Sequence, residues 1–314
     1  MQLSFIDGHA DTACRKYARF HTRLRDWQGH VTVDAMQKLE RYAQFFAYCP
    51  VCYGWDDYEK LQEESYAMFQ EDMAEFRDIM TPVGNCAQML QAWESGKTAA
   101  FRSLEGAEGI GCDPGRLEQA HEMGFRMVSL MWNYENPLGG SNKTGGGLTV
   151  QGREFVRRAQ QLHMIVDVSH ASSEVFREIC DMAESPVIAS HSNCRAICEH
   201  TRNLTDDEIL RLKDCGGTMG LNLYHEFLTS DPQPGFDHMG RHLENLLEVG
   251  GEDMLALGGD LDGISNSPRG FVHVDDYLSF TDYLKSCGWS ETLLQKLCSE
   301  NLMRVMDACD LRPV

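Results

Sequence analysis

Residues 164–192 read MIVDVSHASSEVFREICDMAESPVIASHS. An apolar run, Met164–Val168, leads into Asp167-Val168-Ser169-His170. A helical pattern follows over Ser173–Ala183, and a second apolar run, Val187–Ser190, leads into His191-Ser192. Short apolar runs separated by amphipathic stretches of about ten residues or more read as βα units of a parallel sheet. The same unit recurs on both sides. Candidate strands precede it at Leu3–Asp7, Ala43–Ala47, Thr98–Leu104 and Met127–Met131, and follow it at Gly217–Leu223 and Met254–Gly258. Helical patterns lie between them at Asp57–Ile79, Pro114–Met123, Val150–Leu162, Asp206–Cys215 and Phe236–Glu248. Thr205-Asp206-Asp207-Glu208 is a capping box, hydroxyl and carboxylate each answering an unpaired N–H at the start of a helix. Eight such strands over roughly 260 residues predict an α/β architecture, a (β/α)8 TIM barrel. Additional C-terminal helices are expected near Val274–Lys285, Ser290–Ser299 and Asn301–Cys309. No linker, repeat or shift of composition divides the 314 residues, so a single domain over 1–314 is expected.

Charge and cysteine content narrow the class. Lys+Arg is 28 and Asp+Glu is 48, a formal net charge of −20. Nucleic-acid backbones and anionic membranes attract basic surfaces, so neither is expected as a partner. No stretch approaches the ~20 apolar residues of a membrane span. Met1-Gln2-Leu3-Ser4-Phe5-Ile6-Asp7 lacks a basic segment followed by an apolar one, so no export signal is expected. On that basis the twelve Cys read as small buried thiols in a reducing, cytoplasmic compartment. Cys49-Pro50-Val51-Cys52 has no second pair at metal-finger spacing, which argues against a zinc clip. Gly139–Gly147 is rich in glycine, but Asn142 stands where a phosphate loop needs Gly before the Lys. It reads as a flexible loop after a strand.

The polar residues at the strand ends carry the chemistry. In a parallel barrel the active site lies at the C-terminal ends of the strands. The first strand ends in Asp7-Gly8-His9-Ala10-Asp11, where His9 and Asp11 share one side of an extended chain. The third ends in Glu105-Gly106, the fifth in His170, the sixth in His191, and the eighth in Asp260-Leu261-Asp262-Gly263. Singly, each has an ordinary structural explanation. Jointly they do not, because converging carboxylates are costly to bury without a counter-charge. Imidazole with carboxylate suits Zn²⁺, and also Mn²⁺, Co²⁺ or Fe²⁺. About six ligands exceed one tetrahedral zinc, which points to two ions about 3.5–4 Å apart.

These residues resemble, in order and over nearly the whole chain, the membrane (renal) dipeptidase family, a zinc-dependent branch of the amidohydrolase-type barrels. Asp7–Asp11, Glu105-Gly106, Gly147-Leu148-Thr149, Gly152-Arg153-Glu154, Asp167–His170 and Pro186–Ser192 carry the likeness. So do Arg202–Asp207, Gly258–Gly263 and Asn301–Val305. The resemblance implies metal-dependent hydrolysis of dipeptides by a hydroxide between two Zn²⁺ ions. It implies that His9 and Asp11 bind one ion, His170 and His191 the other, and that Glu105 bridges them. It implies that Asp260 is general base and then acid. Arg202 would clamp the α-carboxylate of a small dipeptide substrate through a two-pronged contact. It also suggests a homodimer. Asp7 and Asp167 are expected to orient strand ends or His ligands, and Asp262 to serve the Asp-Gly turn.

One position departs from the pattern. Trp132 stands where the family usually has a carbonyl-polarising His. Trp132 would then line the substrate pocket, with Asn133, Tyr134 and His225 as substitute donors. The departure keeps two other outcomes in view: hydrolysis of another amide, such as an amino-acid conjugate, a cyclic amide or a β-lactam, and a non-catalytic metal-binding barrel.

Overall fold

The computed structural model describes residues 3–53 and 57–314. Met1 and Gln2, which belong to the stretch examined for an export signal, lie outside them. Nine strands follow in chain order: β1 Phe5–Ala10, β2 Tyr42–Tyr48, β3 Met80–Pro82, β4 Thr98–Glu105, β5 Phe125–Ser129, β6 Ile165–Asp167, β7 Val187–Ser192, β8 Thr218–Leu221 and β9 Leu255–Leu257. All pairings are parallel, in the order β2-β1-β9-β8-β7-β6-β5-β4-β3. A β2–β4 pairing, Ala43↔Ala99 through Tyr48↔Leu104, closes eight of the strands into a barrel. The ninth, β3, lies against the start of β4. Helices run between the strands, and further helices follow at Tyr277–Ser286, Glu291–Gln295 and Asn301–Ala308. The architecture is the expected (β/α)8 TIM barrel with C-terminal helices.

The strand ends differ from the sequence expectation in a way that bears on the site. β1 continues through His9 to Ala10, β4 includes Glu105, and β7 runs through His191 to Ser192. These residues therefore sit on buried strand backbone rather than on loops, Glu105 paired with Ser129 and His9 and His191 in the irregular stretches near the ends of β1 and β7. β5 begins two residues early, because Phe125 pairs with Arg102, and the apolar Leu130 and Met131 leave the sheet while staying buried. The helices Thr12–Ala18 and Cys86–Glu94 were not anticipated. The first starts one residue after β1, and Asp11 makes no side-chain cap to announce it. The second is capped by Asn85, whose side chain accepts from the Gln88 N–H. The Thr205–Glu208 capping box is present.

The barrel is plugged at its N-terminal end. Ile6, Phe45, Phe101, Met127, Ile165 and Ile188 pack together with Met89, Trp93, Leu302 and Val305. The rings of Phe45 and Phe101 stack 4.6 Å apart. Each such side chain, fully buried, contributes about 1.5–3 kcal/mol. Toward the other end the strands carry small residues. A Cβ on Gly220 would lie 2.0 Å from the Ser190 carbonyl oxygen, and one on Gly258 only 1.7 Å from it. The backbones of β7, β8 and β9 approach so closely there that only glycine fits. Gly258→Ala is therefore expected to lower stability by about 1–3 kcal/mol through overpacking. It should also loosen metal binding, because Ser190 is hydrogen-bonded to His191. A thermal melt with elemental analysis checks this, and a native melting temperature would contradict it.

Two of the twelve cysteines are not thiols. Cys49 and Cys52 form a disulfide, brought together by the helical turn Pro50–Tyr53. The expectation of twelve thiols is corrected to ten, of which Cys287 is exposed. Among the described residues no helix is long and apolar enough to cross a membrane. Gly139–Gly147 is part of the loop between β5 and the helix Val150–Gln161, which is capped by Thr149 rather than started at Lys143.

Candidate active site

The C-terminal mouth of the barrel brings His9, Asp11, Glu105, His170, His191 and Asp260 together. Glu105 is central. Its Oε2 lies 3.2 Å from His9 Nε2, and its Oε1 lies 2.8 Å from His170 Nε2 and 3.5 Å from His191 Nε2. His9 Nε2 is also 3.7 Å from an Asp11 oxygen. The two carboxylate oxygens of Glu105 thus face two different sets of donors. His170 Nε2 and His191 Nε2 point at each other across 2.9 Å. Ligating atoms of His9, His191 and Asp260 also lie within 4.8 Å of one another.

Neighbouring side chains aim these rings. Asp167 is acceptor-only, so Ser190 Oγ must donate to its Oδ2, at 2.6 Å. Ser190 Oγ then accepts from His191 Nδ1–H at 2.7 Å, which leaves Nε2 as a free lone pair. Asp167 Oδ1 accepts from the Ser169 and Ser190 N–H groups, tying β6 to β7. His170 Nδ1 faces Asn133 Oδ1 at 3.2 Å, which again leaves Nε2 for the mouth. Asp7 accepts from the His9 N–H at 2.8 Å, from the Gly259 N–H at 3.1 Å, and from the Tyr277 hydroxyl. It thereby joins β1 to the chain after β9. Asp262 has φ 63°, as its turn requires. Its carboxylate accepts from Thr12 Oγ1, Trp27 Nε1 and the His30 N–H, so it faces away from the ligand cluster.

The electrostatics favour a bound cation. Burial holds His170 and His191 well below the usual imidazole value, assisted in each by the Arg202 charge, so both rings are neutral and able to ligate. Burial also works against charge on His9, but the Glu105 and Asp11 carboxylates outweigh it and raise that ring. Burial pushes Glu105 up to about 7 and Asp260 up to about 6, with the His9 charge opposing both. His9 Nδ1 and Nε2, Asp11 Oδ1 and Glu105 Oε2 are buried without hydrogen-bond partners. Such atoms cost free energy unless paired, and an imidazole–carboxylate donor set is what a divalent transition-metal ion takes. The residues present fit such an ion.

A cavity of about 300 Å³ opens over these groups. Trp132 lines it, half-buried, with its ring 6.3 Å from the His170 ring, rather than packing behind β5. Arg202 lines it too and is only 3% exposed, which rules out a surface role. Its two terminal nitrogens are held by the Ser169 and His191 carbonyls, while its Nε is buried without a partner. Of the substitute donors considered for Trp132, only Asn133 lines the cavity. Tyr134 is 57% exposed, and His225 turns to the Asp231 carbonyl at 2.7 Å. Tyr53, Tyr224, Arg15 and Arg19 line the cavity and had no signal in the sequence beyond their residue types. Asn222, at the end of β8, donates to Asp260 Oδ2 at 3.0 Å; its position just past a strand was the clue available.

The chain is similar to known metallopeptidases. Residues 1–312 match the family model described as membrane dipeptidase (Peptidase family M19). An uncharacterized Klebsiella pneumoniae protein from the pqqA 5′ region is 33% identical over 220 residues, covering 66% of this chain and 81% of that protein. An uncharacterized dipeptidase of Schizosaccharomyces pombe is 31% identical over 213 residues, covering 66% of this chain but 52% of the yeast protein. The crystal structure of dipeptidase AC, an M19 metallopeptidase, superposes with a TM-score of 0.91 at 26% identity, over 98% of this chain and 99% of that one. A Rhodobacter sphaeroides metallopeptidase liganded with a phosphinate mimic of the dipeptide L-Ala-D-Ala superposes with a TM-score of 0.89 at 25% identity, over 98% and 100%.

Proposed function

The chain belongs to the membrane dipeptidase family, Peptidase family M19, and on that premise we propose which of its residues hold the metal and which act on the substrate. The activity is metal-dependent hydrolysis of dipeptides, and the relatives favour it over another amide or a non-catalytic barrel. In the proposed assignment His9 and Asp11 hold one divalent ion, His170 and His191 a second, and Glu105 bridges the two. The observation that carries it is the division of the Glu105 oxygens between His9 on one side and His170 and His191 on the other. The proposed ions are two Zn²⁺ per chain, with Mn²⁺, Co²⁺ or Fe²⁺ compatible with the same donors. Metal bound there brings the pKa of water close to neutrality and polarises the scissile carbonyl.

The chain's own groups do the rest. Asp260 takes a proton from the attacking water and returns it to the leaving amine. A carboxyl poised near neutrality is suited to both steps. Arg202 receives the α-carboxylate of the C-terminal residue through its unpartnered Nε, a single contact rather than the two-pronged one expected, because the Ser169 and His191 carbonyls already hold its terminal nitrogens. Trp132 forms a flat wall that favours small or flat side chains. We further propose one domain over residues 1–314, a homodimer and a cytoplasmic site. The ten remaining thiols support a reducing compartment, whereas the Cys49–Cys52 disulfide speaks against it.

Zinc-loaded protein is expected to release free amino acids from a dipeptide panel, to stop when chelated, and to recover when metal is restored. Inertness toward the whole panel would overturn the proposal. Arg202→Lys keeps the charge and loses the Nε donor. It should raise KM by about tenfold or more for dipeptides with a free C-terminus, since a hydrogen bond to a charged group is worth about 1.5–3 kcal/mol. Amidated dipeptides should be poor substrates of the native protein and should change little. Equal losses on both substrate types would show that Arg202 acts only by holding the Ser169 and His191 carbonyls.

A further inference from the structure

We propose that the cavity selects dipeptides whose N-terminal residue carries an acidic side chain, held by Arg15 and Arg19. This rests on the metal and Arg202 assignments above and adds a substrate class to them. The acidic residues among the described cavity lining are Asp11, Glu105 and Asp260, all gathered at the ligand cluster. The cationic side chains there are Arg15, Arg19 and Arg202. Bound divalent ions neutralise the carboxylates, and a substrate α-carboxylate occupies Arg202. Arg15 and Arg19 then leave the wall net positive, in a chain whose net charge is −20.

The helix Thr12–Ala18 explains how they come to face the cavity. Asp11, Arg15 and Arg19 are spaced by four, which places them on one helical face, continuing away from the ligand cluster. Arg15 is half-buried and anchored by the Asp262 and Ile264 carbonyls. Arg19 is exposed at the rim, and among the described residues neither guanidinium has a carboxylate within ion-pair distance. The direction of the substrate follows from Arg202. Its Nη2 touches both His170 Nε2 and the His191 carbonyl, so the C-terminal residue lies on the His170 and His191 side. The N-terminal residue then lies on the His9 and Asp11 side, where this helix begins. A Glu or Asp side chain there would face the two guanidinium groups, which line the same cavity.

The test compares kcat/KM of the zinc-loaded native chain and of Arg19→Glu on Glu-Ala, Asp-Ala, Ala-Ala, Lys-Ala and Ala-Glu. The native enzyme should prefer Glu-Ala or Asp-Ala to Ala-Ala by about five- to tenfold, a modest factor because the site is partly solvated. The preference should shrink in 1 M salt, where the screening length falls to about 3 Å. Arg19→Glu should reverse the order, placing Lys-Ala above Glu-Ala. Equal use of Ala-Ala and Glu-Ala by the native enzyme, or an unchanged ratio in Arg19→Glu, would overturn the inference while leaving dipeptide hydrolysis intact. A preference for Ala-Glu alone would overturn the N-terminal placement. Failure on all five substrates would overturn the proposed function itself.

Discussion

Glu105→Gln is expected to lose metal and activity together. Glu105 faces His9 with one oxygen and His170 and His191 with the other. An amide in its place offers a single oxygen and removes one negative charge from a site proposed to hold about four positive ones. The amide nitrogen would also direct its hydrogens at imidazole lone pairs or at metal. Bound metal should fall to one equivalent or less, and turnover should fall to the background of the assay. Gln has nearly the volume of Glu and relieves the burial cost of the charge, so the apo variant should melt close to the native apo protein. Elemental analysis, a melt and a dipeptide assay on one preparation test all three. Full metal occupancy with near-native turnover would refute the bridging role.

Asp260→Asn is expected to keep metal and lose rate. Asp260 has φ 56° on the turn after β9, and its carboxylate is held by Asn222 beside His9 and His191. Removing a general acid–base group typically costs about 10²–10⁴ in turnover. The loss should fall on kcat, with KM within a few-fold, because Arg202 and the metal ligands are untouched. The pH profile gives a second readout. The base works ionised, so native activity should fall as pH drops through the Asp260 pKa. Burial, opposed by the His9 charge, leaves that carboxyl raised to about 6, and a bound divalent cation would pull it further down. The acid limb should therefore lie at or below about pH 6 and be absent from Asp260→Asn. A variant that loses metal in step with rate would make Asp260 a ligand rather than a base.

The barrel was legible because its strands are short apolar runs with polar ends. That pattern survives boundary errors such as the two-residue shift of β5. β3 and the helix Thr12–Ala18 were not legible. One has three residues, and the other follows β1 without a capping side chain, so neither interrupts the periodicity of its surroundings. Within the site, His9, Asp11, Glu105, His170, His191 and Asp260 stood out as residue types at strand ends. Their division into two sets about Glu105 came from the family resemblance, since spacing along the chain carries no information about which strand faces which across a barrel. Arg15, Arg19, Tyr53 and Tyr224 lie on helix or loop segments whose direction is set by tertiary packing. The Cys49–Cys52 pair was misjudged for a related reason. The absence of a visible export signal argued for thiols, while the turn over Pro50–Tyr53 places the two Cα atoms 5.6 Å apart.

The central claim is that this barrel mouth is a dipeptidase site built on a pair of metal ions. Its most direct test is a titration of metal-stripped protein with Zn²⁺, reading dipeptide hydrolysis and bound metal at every point. Hydrolysis should be absent from the stripped protein, rise with occupancy, and level off at about two equivalents per chain, the number of ions the Glu105 bridge accommodates. Hydrolysis that persists without metal, or two tightly bound equivalents with no hydrolysis of any dipeptide, would contradict the account.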